Sequence, residues 1–87
     1  MNLNNIFTSN LPTLDLHGYD RESARVAIID FINDNKKMKN DTIIIVHGKG
    51  AGILKQTTHS LLSKNKNVKE YKIDYFNDGS TIVRIFI

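Results

Sequence analysis

The sequence contains no cysteine, one proline and no apolar run of membrane-spanning length. The lack of cysteine excludes disulfide bonds and thiolate metal sites, which is typical of proteins in a reducing cytosol. The apolar run from Ile43 to Val46 is short and suits a buried strand. The first residues also lack the basic start, apolar run and cleavage site of a signal peptide. We therefore expect a cytoplasmic protein without a membrane partner.

The length of 87 residues suits one small domain, which buries little more than about 60% of the surface of its unfolded chain. Twelve Lys and Arg residues outnumber nine Asp and Glu residues, so the formal net charge is +3. This balance mildly favours polyanionic partners, because basic side chains attract phosphate groups and release their counterions. Many small cytosolic proteins are equally basic, so the charge alone does not identify a ligand.

Hydrophobic periodicity predicts four strands and two helices in the order βαβαββ. The predicted strands cover residues 14–17, 42–47, 69–76 and 81–87, with a hairpin turn at 77–80. The first helix follows the capping residue Asp20 and frays into a solvated loop at 33–41, and the second follows Gly52. We expect a two-layer α+β or α/β sandwich, in which a four-stranded mixed sheet carries both helices on one face. Residues 1–13 are expected to form a flexible tail ahead of a domain at residues 14–87.

Two short segments each combine a strand ending in His-Gly with the start of a helix. The first corner is Leu14-Asp15-Leu16-His17-Gly18, and the second corner is Val46-His47-Gly48-Lys49-Gly50-Ala51-Gly52. The two strands of a βαβ unit are parallel, so both corners should fall at the carboxyl edge of the sheet. Because open α/β sheets bind ligands at that edge, we expect the polar side chains of both corners to form one site.

In the first corner, Asp15 and His17 lie two residues apart on a predicted strand. Their side chains should therefore leave the same face, with Cβ atoms about 6 to 7 Å apart. Asp15 could orient the imidazole or help to hold a divalent cation such as Mg²⁺. RNA can be cut by general acid–base catalysis, because its own 2′-hydroxyl attacks, whereas DNA usually needs a metal to activate water. The alternative is structural: Asp15 accepts backbone hydrogen bonds and His17 caps the following turn.

The glycine-rich second corner has features of a phosphate-binding loop. Glycines let backbone N–H groups approach an anion, the following helix N-terminus adds a favourable dipole, and Lys49 supplies a positive charge. The spacing of Gly48, Gly50 and Gly52 matches neither a Walker A loop nor a complete dinucleotide-binding fingerprint. The segment could equally be a tight strand-to-helix connection that needs positive φ angles.

The paired corners resemble the Smr (small MutS-related) domain family over residues 14–87. Its signatures are Leu-Asp-Leu-His-Gly near the start and His-Gly-x-Gly in the middle, found here at residues 14–18 and 47–52. The predicted order of elements agrees with the family's two-layer fold, which is similar to the C-terminal domain of bacterial translation initiation factor three. The resemblance implies nucleic-acid binding, with nicking or endonuclease activity on DNA or RNA. Some members are appended to MutS-like proteins, and others act on messenger RNA at stalled or collided ribosomes.

Carried over to matching positions, the resemblance implies that Asp15 and His17 are catalytic. The nucleic-acid-binding residues would be His47, Gly48, Lys49, Gly50 and Gly52, extended by the basic side chains Lys55 and Arg84. The 87 residues include no segment that resembles an ATPase or clamp domain, so we do not expect a role in mismatch recognition or ribosome splitting from this resemblance. The last hairpin carries one glycine, Gly79, where family members often have more, which leaves the shape of that loop open.

Several further side chains are expected to have structural roles. His59 lies off the apolar stripe of the second helix, which predicts a solvated surface residue. The aromatic residues near the third strand could stack on bases, but strand alternation favours sheet-face and core positions for Tyr71, Tyr75 and Phe76.

The leading hypothesis is a small monomeric endonuclease, acting on RNA more than on DNA, either without a cofactor or with Mg²⁺ held by Asp15. The alternative is a non-catalytic module that binds nucleic acid or the ribosome through the same corners. A third class is a protein-interaction domain that uses Val26, Ile29 and residues 85–87.

Overall fold

The structure, a computed structural model, describes residues 11–49 and 52–87. Its elements are β1 (Thr13–Asp15), α1 (Arg21–Lys37), β2 (Thr42–Val46), α2 (Ile53–Lys64), β3 (Val68–Asp74) and β4 (Asn77–Ile85). The strands form one sheet in the order β1-β2-β4-β3. β1 is parallel to β2, and β4 is antiparallel to both β2 and β3. The predicted βαβαββ order and four-stranded mixed sheet are confirmed.

The hydrophobic core lies between the two helices and one face of the sheet. Its fully buried members include Ile28 and Ile32 from α1 and Ile45 from β2. Cross-strand partners share a face, and Ile45 pairs with both Leu14 and Thr81, so all three side chains belong to the helix-covered face. Each fully buried Ile contributes about 1.5 to 3 kcal/mol of transfer free energy. Asp15, paired with Val46, belongs to the other face.

Helix α1 begins where the sequence predicts but continues further. The Asp20 carboxylate accepts a hydrogen bond from the Ser23 backbone N–H at 2.8 Å, and this bond lowers the pKa of Asp20. The predicted loop at 33–41 is wrong in its first half, because α1 runs to Lys37. The buried Asn35 holds that last turn, since its Nδ2 donates to Phe31 O at 2.8 Å.

The β3–β4 hairpin turns earlier than predicted. Asp74 pairs with Asn77, so the turn consists of Tyr75 and Phe76 rather than residues 77–80. Residues 77–80 instead belong to β4, because tertiary pairing of Ser80 with Val46 extends the strand through a sequence typical of turns. Both aromatic side chains of the turn are exposed, so the predicted sheet-face and core positions are wrong for Tyr75 and Phe76. Tyr71 does lie in β3, packed against the core.

Only residues 11–13 of the predicted tail at 1–13 are described. Residues 1–10 lie outside the described residues. β1 already begins at Thr13, and the Pro12 carbonyl accepts a hydrogen bond from Ile44 N at 2.9 Å. Pairing with the sheet therefore starts before residue 14.

Neither of the described helices combines the length and the apolar character that a membrane span requires.

Candidate functional site

The parallel pairing of β1 and β2 brings the backbones of the two corners together. Asp15 pairs with Val46, and Leu16 N donates to Val46 O at 2.9 Å. His17 and His47 therefore follow neighbouring strand ends at one edge of the sheet. Gly50, one of the three glycines predicted to bind nucleic acid, lies outside the described residues together with Ala51.

The first corner is a tight turn that Asp15 stabilises. β1 ends at Asp15, two residues earlier than predicted, so strand alternation does not control the direction of His17. The Asp15 Oδ1 atom accepts a hydrogen bond from the His17 backbone N–H at 2.9 Å. The turn closes with Tyr19 N donating to Leu16 O at 3.0 Å, and Gly18 has a φ of 81°. The His17 side chain is exposed at this edge, where a ligand from solvent can reach it.

His47 is buried beneath the second corner, with 7% of its surface exposed. Its Nε2 atom lies 2.8 Å from Thr81 Oγ1, and its Nδ1 atom lies 3.0 Å from Gly48 O. A carbonyl oxygen only accepts, so we assign the hydrogen to Nδ1, and in that tautomer the Thr81 hydroxyl donates to Nε2. The His47 ring therefore supports the start of the second corner from within the core, and the contact with nucleic acid predicted for it stays a prediction.

His59 joins the same cluster, so the prediction of a solvated surface residue is wrong. Its Nε2 atom lies 2.8 Å from Thr81 Oγ1, and its ring centroid is 5.7 Å from that of His47 and 5.3 Å from that of Tyr71. Burial, then the neighbouring His47, then Lys55 lower the pKa of His59. Helical periodicity could not reveal this role, because the partner Thr81 lies on a strand distant in the sequence.

The second corner is anchored to β4 through Gly79. The Gly79 carbonyl accepts hydrogen bonds from His47 N and Gly48 N, both at 2.9 Å. A Cβ atom on Gly79 would lie 3.1 Å from Lys49 Cγ and 3.3 Å from Gly48 C, which leaves little room for a side chain. Gly48 itself has a φ of 90°, a conformation that favours glycine. Gly79 alone therefore lets the backbone of β4 approach the second corner closely, although the last hairpin has one glycine.

Lys49 is exposed at the edge, with its Nζ atom 3.4 Å from Asp78 Oδ1. Such an exposed ion pair contributes about 0 to 1 kcal/mol, so a phosphate can compete for the ammonium group. Gly52 precedes α2 in a left-handed conformation and provides no side-chain cap. The second corner thus presents a cation beside a helix N-terminus, as the sequence predicts.

The structure separates the two residues that were predicted to extend the basic surface. Lys55 lies in the first turn of α2, near the second corner. Arg84 pairs with Thr42, at the opposite end of β2 from the second corner. Thr42 and Val46 are four residues apart, which corresponds to about 13 Å along a strand. The Nη1 atom of Arg84 lies 3.4 Å from Glu70 Oε1. Arg84 therefore does not join the basic surface of the corners.

A basic groove between α1 and α2 was not found from the sequence. The helix groove, as we call it, has a volume of about 600 Å³, and its lining includes the cations Arg21, Arg25 and Lys64 and no acidic residue of the described chain. None of these three cations forms an ion pair within residues 11–49 and 52–87. Arg21 and Ile53, the first residues of their helices, place one end of the groove at the corners. The four-residue spacing of Arg21 and Arg25 was the available sequence signal.

The described residues contain no group of three or more His, Asp or Glu side chains placed to hold a metal ion. Mg²⁺ is often bound by one or two carboxylates together with waters and substrate phosphates. Asp15 is the carboxylate of the first corner that could contribute in this way.

Comparison with known proteins identifies a family and several relatives. A sequence profile of the family described as Smr domain matches residues 14–85. Endonuclease MutS2 of Clostridium perfringens is 30% identical over 76 residues, and that of Clostridium botulinum is 33% identical over 75 residues. These matches cover 87% and 83% of this chain but 10% of each relative, so the chain spans about a tenth of the length of the curated relatives it matches.

Two solved structures share the fold. The Smr domain of Thermus thermophilus MutS2 has a TM-score of 0.85 and 22% identity, covering 88% of this chain and 100% of that one. YdaL, a stand-alone small MutS-related protein from Escherichia coli, has a TM-score of 0.82 and 20% identity, covering 86% and 64%. At these identities the likeness establishes the fold.

Proposed function

Because this chain belongs to the Smr domain family, we propose that it binds nucleic acid and cleaves phosphodiester bonds, with RNA as its main substrate. The observation that carries the proposal is the pairing of Asp15 with Val46, which sets exposed His17 beside the second corner. The relatives named endonuclease MutS2 contain a matching segment, which supports a nuclease. Both corners belong to one chain, so a monomer is sufficient for this function. We propose that it acts in the cytoplasm.

The proposed reaction uses His17 as the general base. His17 removes the proton of the 2′-hydroxyl while the 2′-oxygen attacks phosphorus, and the bond from phosphorus to the 5′-oxygen breaks. The leaving 5′-oxygen takes a proton from solvent. Asp15 holds the turn through the His17 backbone N–H and so positions the imidazole. The products would be a 2′,3′-cyclic phosphate and a 5′-hydroxyl end.

The second corner would hold the scissile phosphate. Lys49 provides positive charge, and the anchoring of Gly48 to Gly79 keeps the backbone in place before the substrate arrives. Mg²⁺, if the reaction uses it, would be held by Asp15 and would neutralise charge on the phosphate. The His47 ring supports this corner from below through the Gly48 carbonyl.

The helix groove supports a nucleic-acid ligand over other polyanions. Its cations follow one another along α1 and α2 away from the corners, as the phosphates of a strand do. A strand cut at the corners could therefore continue along the groove through Arg21 and Arg25.

A non-catalytic module that binds nucleic acid or the ribosome is the second candidate. It is favoured by the hydrogen bond between Asp15 Oδ1 and His17 N, which gives the carboxylate a structural role. This alternative would be supported if the protein binds RNA in a salt-sensitive way and yields no cut product with any metal or in EDTA.

The test is incubation of an end-labelled, partly structured RNA with the protein, in Mg²⁺ or in EDTA. The variants are His17→Ala and Asp15→Asn, and the matched control is Asp30→Asn, an exposed carboxylate within α1. Asp15→Asn keeps an oxygen that can accept from His17 N but removes the charge, so it separates catalysis from turn formation. We expect His17→Ala to abolish cleavage under both conditions. Asp15→Asn should strongly reduce only cleavage that depends on Mg²⁺, because the amide oxygen still accepts from His17 N. Asp30→Asn should cleave as the wild type does.

The ends of the product identify the chemistry. A cyclic phosphate formed in EDTA supports acid–base cleavage, whereas cleavage that requires Mg²⁺ supports a metal-dependent step. Undiminished cleavage by His17→Ala would remove this residue from the mechanism. Intact RNA in every sample, with binding retained, would leave the binding module as the function.

A further inference from the structure

The turn of the β3–β4 hairpin exposes two adjacent aromatic rings. Tyr75 is 89% exposed and Phe76 is 82% exposed, more than any other large hydrophobic residue in the described part of the chain. Large aromatic side chains usually contribute to cores or interfaces, where their apolar surface leaves water. These two rings contribute little to the core of this domain, which points to a ligand.

The two rings of this aromatic pair pack against each other on a turn whose backbone is held by hydrogen bonds. The ring centroids are 5.0 Å apart, and the ring planes are 81° apart, an edge-to-face contact that leaves ring faces open to solvent. The Asp74 side chain accepts from Phe76 N at 3.0 Å, and the Asn77 side chain accepts from Gly79 N at 3.0 Å. Side-chain hydrogen bonds to the backbone thus brace the turn on both sides.

The aromatic pair is connected directly to the second corner. Ser80 pairs with Val46 at the end of β2, so the residues before Ser80 extend beyond the edge where the corners lie. Gly79 accepts the backbone hydrogen bond of Gly48, and Asp78 pairs with Lys49. A nucleotide with its phosphate at Lys49 therefore has this hairpin as its neighbour.

We propose that Tyr75 and Phe76 form a stacking site for an unpaired base of the bound strand, next to the phosphate held by the second corner. This inference rests on the proposed function, and it specifies the substrate as single-stranded at that position. Every base has a flat π-face that can stack on an aromatic ring, but in a duplex those faces are already covered by neighbouring bases.

The charges around the aromatic pair agree with a base rather than a phosphate as the ligand. Asp74 and Asp78 flank the turn, and carboxylates repel phosphate groups. Asp74 is engaged with Phe76 N, and Asp78 pairs with Lys49. The rings can thus receive the uncharged base while Lys49 receives its phosphate.

The test measures binding of short fluorescent RNA probes by anisotropy, in the His17→Ala background so that the probes stay intact. The probes are a single strand, the same strand with abasic residues, and a duplex. The variants are Tyr75→Ala with Phe76→Ala, and Tyr75→Phe, which keeps a ring. The matched control is Phe86→Ala, since Phe86 is an exposed aromatic residue beyond the opposite end of β4.

We expect the double alanine variant to bind the single strand about 5- to 100-fold more weakly and to bind the abasic and duplex probes as before. Tyr75→Phe and Phe86→Ala should bind all probes as the parent does. Unchanged single-strand binding by the double variant would overturn the stacking site, and so would an equal loss on all three probes. If the parent binds none of the probes, both the stacking site and the proposed function are overturned. If the wild-type chain binds RNA but does not cleave it, the nuclease proposal fails, and the comparison of the double alanine variant with its parent still tests the stacking site.

Discussion

His47 and His59 share one hydroxyl group, since the Nε2 atom of each ring lies 2.8 Å from Thr81 Oγ1. The Nδ1 atom of His47 donates to Gly48 O, so the hydroxyl donates to His47 and accepts from the protonated Nε2 atom of His59. The hydrogen bonds therefore run in one direction, from helix α2 through strand β4 to the second corner. The buried side chains of Thr81 and His47 thus support the site from within the core, and the partly exposed His59 completes the cluster.

We expect Thr81→Val to lower the free energy of unfolding by about 1 to 3 kcal/mol, because the buried His47 ring and the partly exposed His59 ring lose their shared hydrogen-bond partner. Thr81→Ser keeps the hydroxyl and should lose less stability. Urea denaturation of the three proteins measures the difference. Equal stability of Thr81→Val and the wild type would contradict the hydrogen-bonded cluster.

The lowered pKa of His59 predicts that stability falls in mild acid. The unfolded chain takes up a proton on His59 near its ordinary pKa of 6.5, whereas the folded chain takes it up only at lower pH. The free energy of unfolding should therefore rise between the lowered folded pKa and 6.5, with the contribution of His59 complete above that value. His59→Gln keeps an N–H donor but does not titrate, so its stability should change less between pH 5.5 and 7.5. An identical pH dependence of both proteins in urea denaturation would refute the prediction.

Thr58 offers a stabilising substitution. Its Oγ1 atom is buried and has no hydrogen-bond partner within the described residues. Thr58→Val keeps the shape of the side chain and removes the unpaired hydroxyl, which should raise the free energy of unfolding by about 1 kcal/mol. Thr57→Val, at a partly exposed position lining the helix groove, is the control for changing Thr to Val in α2. A lower denaturation midpoint for Thr58→Val than for the wild type would show that the hydroxyl is satisfied.

The helix groove predicts a salt-dependent contribution from Arg25. We expect Arg25→Gln to weaken binding of single-stranded RNA and to reduce the slope of log affinity against log salt by about 0.7, the loss of one phosphate contact. Arg84→Gln is the control, because it removes the same charge at the far end of the strands. Anisotropy titrations at several salt concentrations measure both slopes. Equal slopes for Arg25→Gln and Arg84→Gln would argue against the groove as the path of the strand.

The parts of the fold that depend on local signals could be predicted from the sequence. Asp20 caps α1, and the β-branched run at 42–47 forms β2 almost to the residue, because side-chain capping and strand alternation act within a few positions. The pairing of two His-Gly corners at one sheet edge also followed from the strand order, since parallel strands end on the same side.

The features that depend on register between distant segments could not be predicted. The run Asn77 to Ser80 has the composition of a turn, yet Ser80 pairs with Val46 of β2 and Asn77 pairs with Asp74 of β3. These pairings make the run part of a strand and shift the turn to Tyr75 and Phe76. The burial of His47 and the contact of His59 likewise depend on where β4 places Thr81. The direction of a histidine side chain at a strand end is set by such partners and not by local spacing.

The central position of β4 in the sheet determines when the chain can assemble its site during synthesis. Among the four strands of the described sheet β4 is synthesised last, but it lies between β2 and β3, and β3 pairs with no other strand of that sheet. Until β4 emerges, only β1 and β2 can pair, while Gly79 and Thr81 are not yet available to hold the second corner. A nascent chain surrounded by ribosomal and messenger RNA therefore lacks the complete form of its proposed nucleic-acid site until β4 has been synthesised.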